Sequence, residues 1–81
     1  MTGTSELEQL DCRGLLCPLP VIRTQKRVKE MQPGSRLQIL ASDPGAAVDI
    51  PAWCRIHGHE VIEQQVDGRS VRIVVQIGGA G

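Results

Sequence analysis

Residues 36–59, RLQILASDPGAAVDIPAWCRIHGH, place a strand and a helix back to back, and the rest of the chain is read outward from them. In RLQILA, Leu37, Ile39 and Ala41 alternate with Arg36, Gln38 and Leu40, the period of an extended strand, here buried largely on both faces. SDPG then opens a helix, with Asp43 as N-cap and Pro44 at the first helical position. Ala47, Ile50 and Cys54, with Trp53 or Ile56 beside them, make its inward stripe, and Gly58 closes it. Pro51 lies inside this helix and, lacking an N–H, is expected to kink it or start it afresh.

Toward the N-terminus, SELEQLDCRG carries leucines at 7 and 10 and reads as a strand ending near Asp11. Between Pro18 and Met31, Val21, Val28 and Met31, with Ile22 alongside, fit one stripe of a helix that QPGS stops at Gly34. Pro18 and Pro20 fall in or just before its first turn, where a helix tolerates proline. Toward the C-terminus, EVIEQQV and RSVRIVVQI flank a turn at Asp67–Gly68 and form a hairpin. Val71, Ile73, Val75 and Ile77 share one face of its second strand. The order β-α-β-α-β-β predicts one α+β domain over residues 1–81, a two-layer sandwich with two helices on one face of a four-stranded sheet. Residues 1–5 and 78–81 are expected to be flexible ends.

With 41% hydrophobic and 22% charged residues, the chain suits a small globular domain rather than a disordered one. Trp53 is its only aromatic residue, so the core must be aliphatic, and stacking of single-stranded bases is poorly supported. Nine basic residues balance nine acidic ones, so no overall field favours nucleic acid or membrane. No apolar run approaches the roughly 20 residues of a membrane helix, and MTGTSELEQL lacks the pattern of a secretory leader. A cytoplasmic, reducing setting is expected, and three cysteines, an odd number, argue against a disulfide-stapled fold.

Cys17 is the residue with the most chemistry to offer. It precedes Pro18 at the start of the first helix, where N–H groups without intrahelical partners and the helix dipole favour an anion. Its thiol pKa is therefore expected to fall below the free value of about 8.5. Pro18 and Pro20 hold the backbone and position the sulfur. Arg13, Arg23, Lys26, Arg27 and Lys29 surround it in sequence, with no acid between Asp11 and Glu30. That face would suit an acidic partner, docking on Arg23, Lys26 and Arg27. His57 and His59 lie at the far end of the second helix, so a Cys–His hydrolytic pair is poorly supported.

LDCRGLLCPLPV, with Cys-Pro-x-Pro at 17–20, resembles the signature of the TusA (SirA-like) family of small sulfur carriers. MQPGSRLQILASDPGAAVDIPAWCRIHGHEV and the hairpin follow the same family in order and spacing, so the resemblance runs from about Leu10 to Ile77. It implies a mixed sheet in order 1-2-4-3. It also implies that Cys17 accepts sulfane sulfur as a persulfide and passes it to an acceptor protein, with Pro18 and Pro20 as motif prolines. A cysteine desulfurase or rhodanese would be the donor; tRNA thiolation, molybdenum-cofactor supply or sulfur oxidation would be the destination. No cofactor beyond the covalent persulfide is implied.

Cys12 departs from the family pattern. It reads either as a small packed side chain or as a second thiol able to resolve a persulfide or sense oxidation. Cys54 reads as a core residue, and neither CRGLLC nor CRIH has paired metal-ligand spacing, so no metal is expected. Asp43 reads as a helix cap, with partner contact as the alternative. Three functional readings stand beside the carrier: a noncatalytic interaction or regulatory module using the basic helix, thiol–disulfide exchange between Cys12 and Cys17, and direct nucleic-acid binding, the weakest. A monomer is the default, with Leu40, Val61 or Ile62, and Val74 on the second sheet face leaving self-association open.

Overall fold

The computed structural model describes residues 7–78. The elements are β1 (Leu7–Cys12), α1 (Leu19–Val28), β2 (Arg36–Ala41), α2 (Ala46–His57), β3 (Glu60–Asp67) and β4 (Ser70–Gln76). The sheet order is β1-β2-β4-β3, with β1 parallel to β2 and the other two pairs antiparallel. This is the mixed α+β sandwich expected. Rows across the sheet set its inner face: Leu37 beside Val75, Leu10 beside Ile39 and Ile73, and Cys12 beside Ala41 and Val71. Val28 of α1 and Ala46, Ile50 and Cys54 of α2 close over them.

The stripe of α1 is rotated from the expected one. Pro20, Thr24 and Val28 are buried, Val21 is half-buried, and Ile22 is exposed. Thr24 tolerates burial because its hydroxyl donates to the Pro20 carbonyl at 2.8 Å, within its own helix. The regular helix stops at Val28 rather than Met31. The Glu30 and Met31 N–H groups donate to the Arg27 and Val28 carbonyls, a tighter three-residue spacing, and Met31 still packs against the core.

α2 begins at Ala46, so Asp43 does not occupy the helix N-cap position expected of it; Gly45 does. Asp43, Pro44 and Gly45 form a tight entering turn in which the Ala46 N–H donates to the Asp43 carbonyl and the Ala47 N–H to that of Pro44. Asp43 caps that turn instead, its Oδ1 accepting the Gly45 N–H at 3.1 Å. Pro51 sits inside an unbroken helix. The carbonyl it orphans, four residues earlier on Ala47, accepts the side-chain amide of Gln64 from β3 at 2.8 Å. Trp53, not Ile56, accompanies the inward stripe; Ile56 is 78% exposed. Gly58 closes the helix in the left-handed conformation, as expected.

The hairpin turn falls on Gly68–Arg69 rather than Asp67–Gly68, because Asp67 pairs with Ser70 across the strands. Gly68 takes the positive φ of +63° at the first turn position. Gly78, expected to be loose, is held: its N–H donates to His59 Nδ1 at 2.9 Å, and a Cβ there would run into the Gly58 carbonyl. Residues 1–5 and 79–81, the rest of the ends expected to be flexible, lie outside the described residues.

β2 is not buried equally on both faces. Leu37, Ile39 and Ala41 are buried on the helix side, while Gln38 and Leu40 are half-buried on the other. That second face carries a polar ladder across all four strands. Gln38 Nε2 donates to Gln9 at 3.0 Å, Arg72 Nε to Gln38 at 2.8 Å, and Arg72 Nη1 to Glu63 at 2.8 Å. Val74 lies in the same row as Gln38 and Glu63 and is only 6% exposed. Val61 packs on the helix side, and Ile62 sits at a register irregularity between Val61 and Glu63.

Ile39 is fully buried where β1, β2 and β4 meet. Ile39→Ala is expected to lower stability by about 2–5 kcal/mol, read as a lower midpoint in urea unfolding without loss of the native circular-dichroism spectrum before the transition.

Candidate functional site

β1 and β2 run parallel, so both end at the same edge of the sheet, and the loops leaving them meet. Three hydrogen bonds join the loop after β1 to the loop and helix after β2. The Gly14 N–H donates to Ser42 Oγ at 2.8 Å, the Cys17 N–H to Asp43 Oδ2 at 3.0 Å, and the Cys17 thiol to Asp49 Oδ2 at 2.9 Å. Asp43 thus holds two backbone groups, one with each oxygen: its own turn through Gly45 and the cysteine loop through Cys17. These two N–H bonds keep its carboxyl below the usual range.

Cys17 is exposed and Pro18 follows it through a cis peptide bond. Pro18 stands at the N-cap of α1 without a side-chain cap bond, and Pro20 is buried in the first turn. The thiol does not behave as the sequence led us to expect. Its hydrogen bond to Asp49, then desolvation, then the charges of Asp49 and Asp43, raise its pKa above the ordinary value instead of lowering it. A helix N-terminus offers about half a positive charge, whereas the thiol touches one full carboxylate and has a second on its own N–H.

The surrounding charge is also less one-sided than the sequence implied. Arg13 forks onto Asp11, with Nε at 2.8 Å and Nη2 at 3.0 Å, and holds that carboxyl down to about 2. Arg27 is half-buried and pairs with Glu8 at 2.9 Å, so of the three basic residues expected to dock a partner it is tied to β1. Arg23 and Lys26 are exposed, and with Leu19 and Ile22 they border a shallow groove of about 420 Å³ on α1. Leu16 (72% exposed) and Val48 (70%) are prominent apolar side chains flanking Cys17 and Asp49 in sequence.

The other two thiols are withdrawn. Cys12 is fully buried, with its Sγ toward the Pro20 carbonyl at 4.0 Å, and burial pushes its pKa up. Cys54 is 1% exposed and pushed up to about 11 by burial. His57 and His59 lie against the Trp53 ring, with centroids at 4.9 and 5.1 Å. His57 ends α2, about 12 Å along the helix from Asp49 at 1.5 Å per residue, and His59 follows the Gly58 cap just before β3, so neither is brought to Cys17. Among the described residues, no three His, Cys, Asp or Glu side chains converge as metal ligands would.

Sequence reading missed Asp49. The only local signal is an acid in the first turn of a helix, which is ordinary for helix-dipole reasons.

A two-layer sandwich of this order, presenting a single exposed thiol from a Cys-Pro-x-Pro turn, defines a class of small thiol-bearing domains. Residues 8–77 match the family described as Sulfurtransferase TusA, and the chain belongs to that family. It is 39% identical over 70 residues to a Bacillus subtilis (strain 168) protein named "Putative sulfur carrier protein YrkF". The match covers 86% of this chain and 38% of that protein, so the chain spans well under half the length of this relative. In fold it is similar to the crystal structure of a SirA-like protein from Desulfitobacterium hafniense, with a TM-score of 0.76 at 20% identity, covering 90% of this chain and 99% of that one. No helix among the described residues is long and apolar enough to cross a membrane.

Of the three cysteines, only Cys17 is exposed. Treatment of the native chain with iodoacetamide at alkaline pH, continued until labelling stops rising, is expected to add one label, on Cys17, and treatment in denaturant to add three. Peptide mass spectrometry reads both, and native labelling of Cys12 would show that its burial is not maintained.

Proposed function

We propose that this chain is a covalent sulfur carrier, loaded on Cys17 by a donor protein and unloaded by an acceptor protein. The observation that carries the reading is the exposure of Cys17, alone among three cysteines, in the Cys-Pro-x-Pro turn of a chain that belongs to the TusA family. In loading, the Cys17 thiolate attacks the terminal sulfur of a donor persulfide, R–S–SH. A bond forms between Cys17 Sγ and that sulfur while the donor's own S–S bond breaks. Cys17 becomes Cys–S–SH, and the departing R–S⁻ takes up a proton. The sulfane sulfur changes carrier without net oxidation, so no cofactor is required. Delivery repeats the exchange in the other direction, toward an acceptor thiol.

The chain supplies presentation rather than a complete catalytic machine, and its partners supply the rest. A cysteine desulfurase or a rhodanese has the chemistry of the donor, and the acceptor serves tRNA thiolation, molybdenum-cofactor supply or sulfur oxidation. On the helix that follows Cys17, Leu19, Ile22, Arg23 and Lys26 line a groove that also carries Glu30, and give the partner an apolar and largely basic landing strip. A reducing, cytoplasmic compartment fits a carrier whose active form is a free thiol. The burial of Cys12 counts against a resolving or redox role for it in the folded chain, and the polar ladder on the outer sheet face favours a monomer over pairing through that face.

Incubation with a cysteine desulfurase and cysteine, or with rhodanese and thiosulfate, is expected to add one reductant-labile sulfur atom to the intact mass, mapped to Cys17. Cys17→Ser is expected to abolish that gain while keeping the native circular-dichroism spectrum. Retained loading on Cys54 in the Ser variant would sink the reading; a Ser variant that does not load yet still complements a deletion strain would point to the interaction module instead.

A further inference from the structure

Cys17 is held at two points by α2 and the turn that leads into it. Asp43 fixes the backbone by accepting the Cys17 N–H, and Asp49 accepts the thiol hydrogen itself. The second bond depends on the protonation state. A thiol has one hydrogen to give; a thiolate has none, and would leave the anionic sulfur facing a carboxylate oxygen at the 2.9 Å separation now seen.

The charges around the site do not offset that repulsion. On the loop after β1, Arg13 is engaged by Asp11. From the hairpin turn, Arg69 acts on Asp43. From α1, Arg23 acts on Cys12. From the turn before α2 and from α2 itself come only the carboxylates Asp43 and Asp49. The nearest groups to the sulfur therefore favour the neutral form, although thiolate is the nucleophile that sulfur transfer requires.

We propose that Asp49 is a positioning residue that holds Cys17 as the hydrogen-bonded thiol in the unloaded chain, so that the free carrier is a slow nucleophile until its site is rearranged or its carboxylate is neutralised at a partner. The role in transfer rests on the carrier reading above. The hold on the proton is a property of the chain alone. It gives the exposed thiol protection from stray electrophiles and oxidants, which consume thiolates first. It also gives the loaded form a different balance: the inner sulfur of Cys17–S–SH has no hydrogen for Asp49, and the two carboxylates favour the protonated terminal sulfur, the form an acceptor thiolate can attack.

The test is the pH dependence of Cys17 alkylation by iodoacetamide in the full chain, from about pH 6 to about pH 10, which brackets the free thiol value of about 8.5, read residue by residue by mass spectrometry. The unaltered chain is expected to show a midpoint above the free value. Asp49→Asn removes the charge and keeps the shape, and is expected to lower the midpoint by about one unit, or about tenfold more thiolate at neutral pH. Asp49→Glu is expected to bring the midpoint back toward that of the unaltered chain. Labelling of the buried Cys12 and Cys54 in the same samples reports any loss of fold, in which case Asp49→Ser is the variant compared. A Cys17 midpoint that is the same with and without the Asp49 carboxylate overturns the inference. Persulfide loading is measured separately: a chain that loads normally but whose midpoint ignores Asp49 defeats this inference and leaves the carrier reading standing, while a shifted midpoint in a chain that never loads does the reverse.

Discussion

The parallel pairing of β1 with β2 is the constraint on which the rest of the structure depends. It sends both strands to the same end of the sheet and requires a helix to return over one face between them; β2 is followed by a second such helix because β3, antiparallel to β4, runs parallel to β2. The loops that begin those two returns are therefore neighbours, and they are tied together by Gly14 to Ser42, Cys17 to Asp43 and Cys17 to Asp49. Had the strands been antiparallel, the cysteine loop and the start of α2 would lie at opposite ends of the sheet. The site is thus a consequence of strand direction before it is a consequence of any single side chain.

Within that site, proximity decides which electrostatic effect wins. A helix start offers a diffuse partial charge that fades within a turn, and Cys17 precedes the Pro18 cap rather than lying in the helix. Asp49 offers a full charge in hydrogen-bond contact, reinforced by Asp43. The basic residues that surround Cys17 in sequence do not reverse the balance: Arg13, before it, is committed to Asp11 and Arg27, after it, to Glu8. On α1, the helix that follows the thiol, the exposed apolar side chains Leu19 and Ile22 share a groove with the exposed cations Arg23 and Lys26.

The two faces of the sheet solve different problems with few resources. The helix side is packed almost wholly from aliphatic side chains, with Trp53 only partly buried at its margin. The open side shields Val74 and half-covers Leu40 by linking Gln9, Gln38, Arg72 and Glu63 across the strands. The same economy appears at Pro51, whose helix stays intact because a strand side chain, Gln64, satisfies the carbonyl left without its partner, and at Gly78, which lies close against Gly58 and is bonded to His59.

Much of this was legible in the residues. Alternation in 36–41 and 71–77, prolines near helix starts, Gly58 past a helix end and Cys-Pro-x-Pro at 17–20 specify the order of elements and single out one cysteine, because each is a local preference of backbone or side chain. The helix limits, the turn at Gly68–Arg69 and the exposure of Ile22 were misplaced by a few residues, since packing rather than propensity sets the ends and the rotation of a helix. Of the site around Cys17, the sequence singled out its prolines and Asp43, though not the bond from Asp43 to the Cys17 N–H, and it did not single out the carboxylate that holds the thiol. Asp49 is 32 residues away along the chain and resembles any acid in a first helical turn; only the sheet brings it to the sulfur. The sequence by itself determined which atom is presented, through short-range backbone preferences. The tertiary structure decided which proton-bearing form is presented, because that depends on charges that meet only when two distant loops are folded side by side.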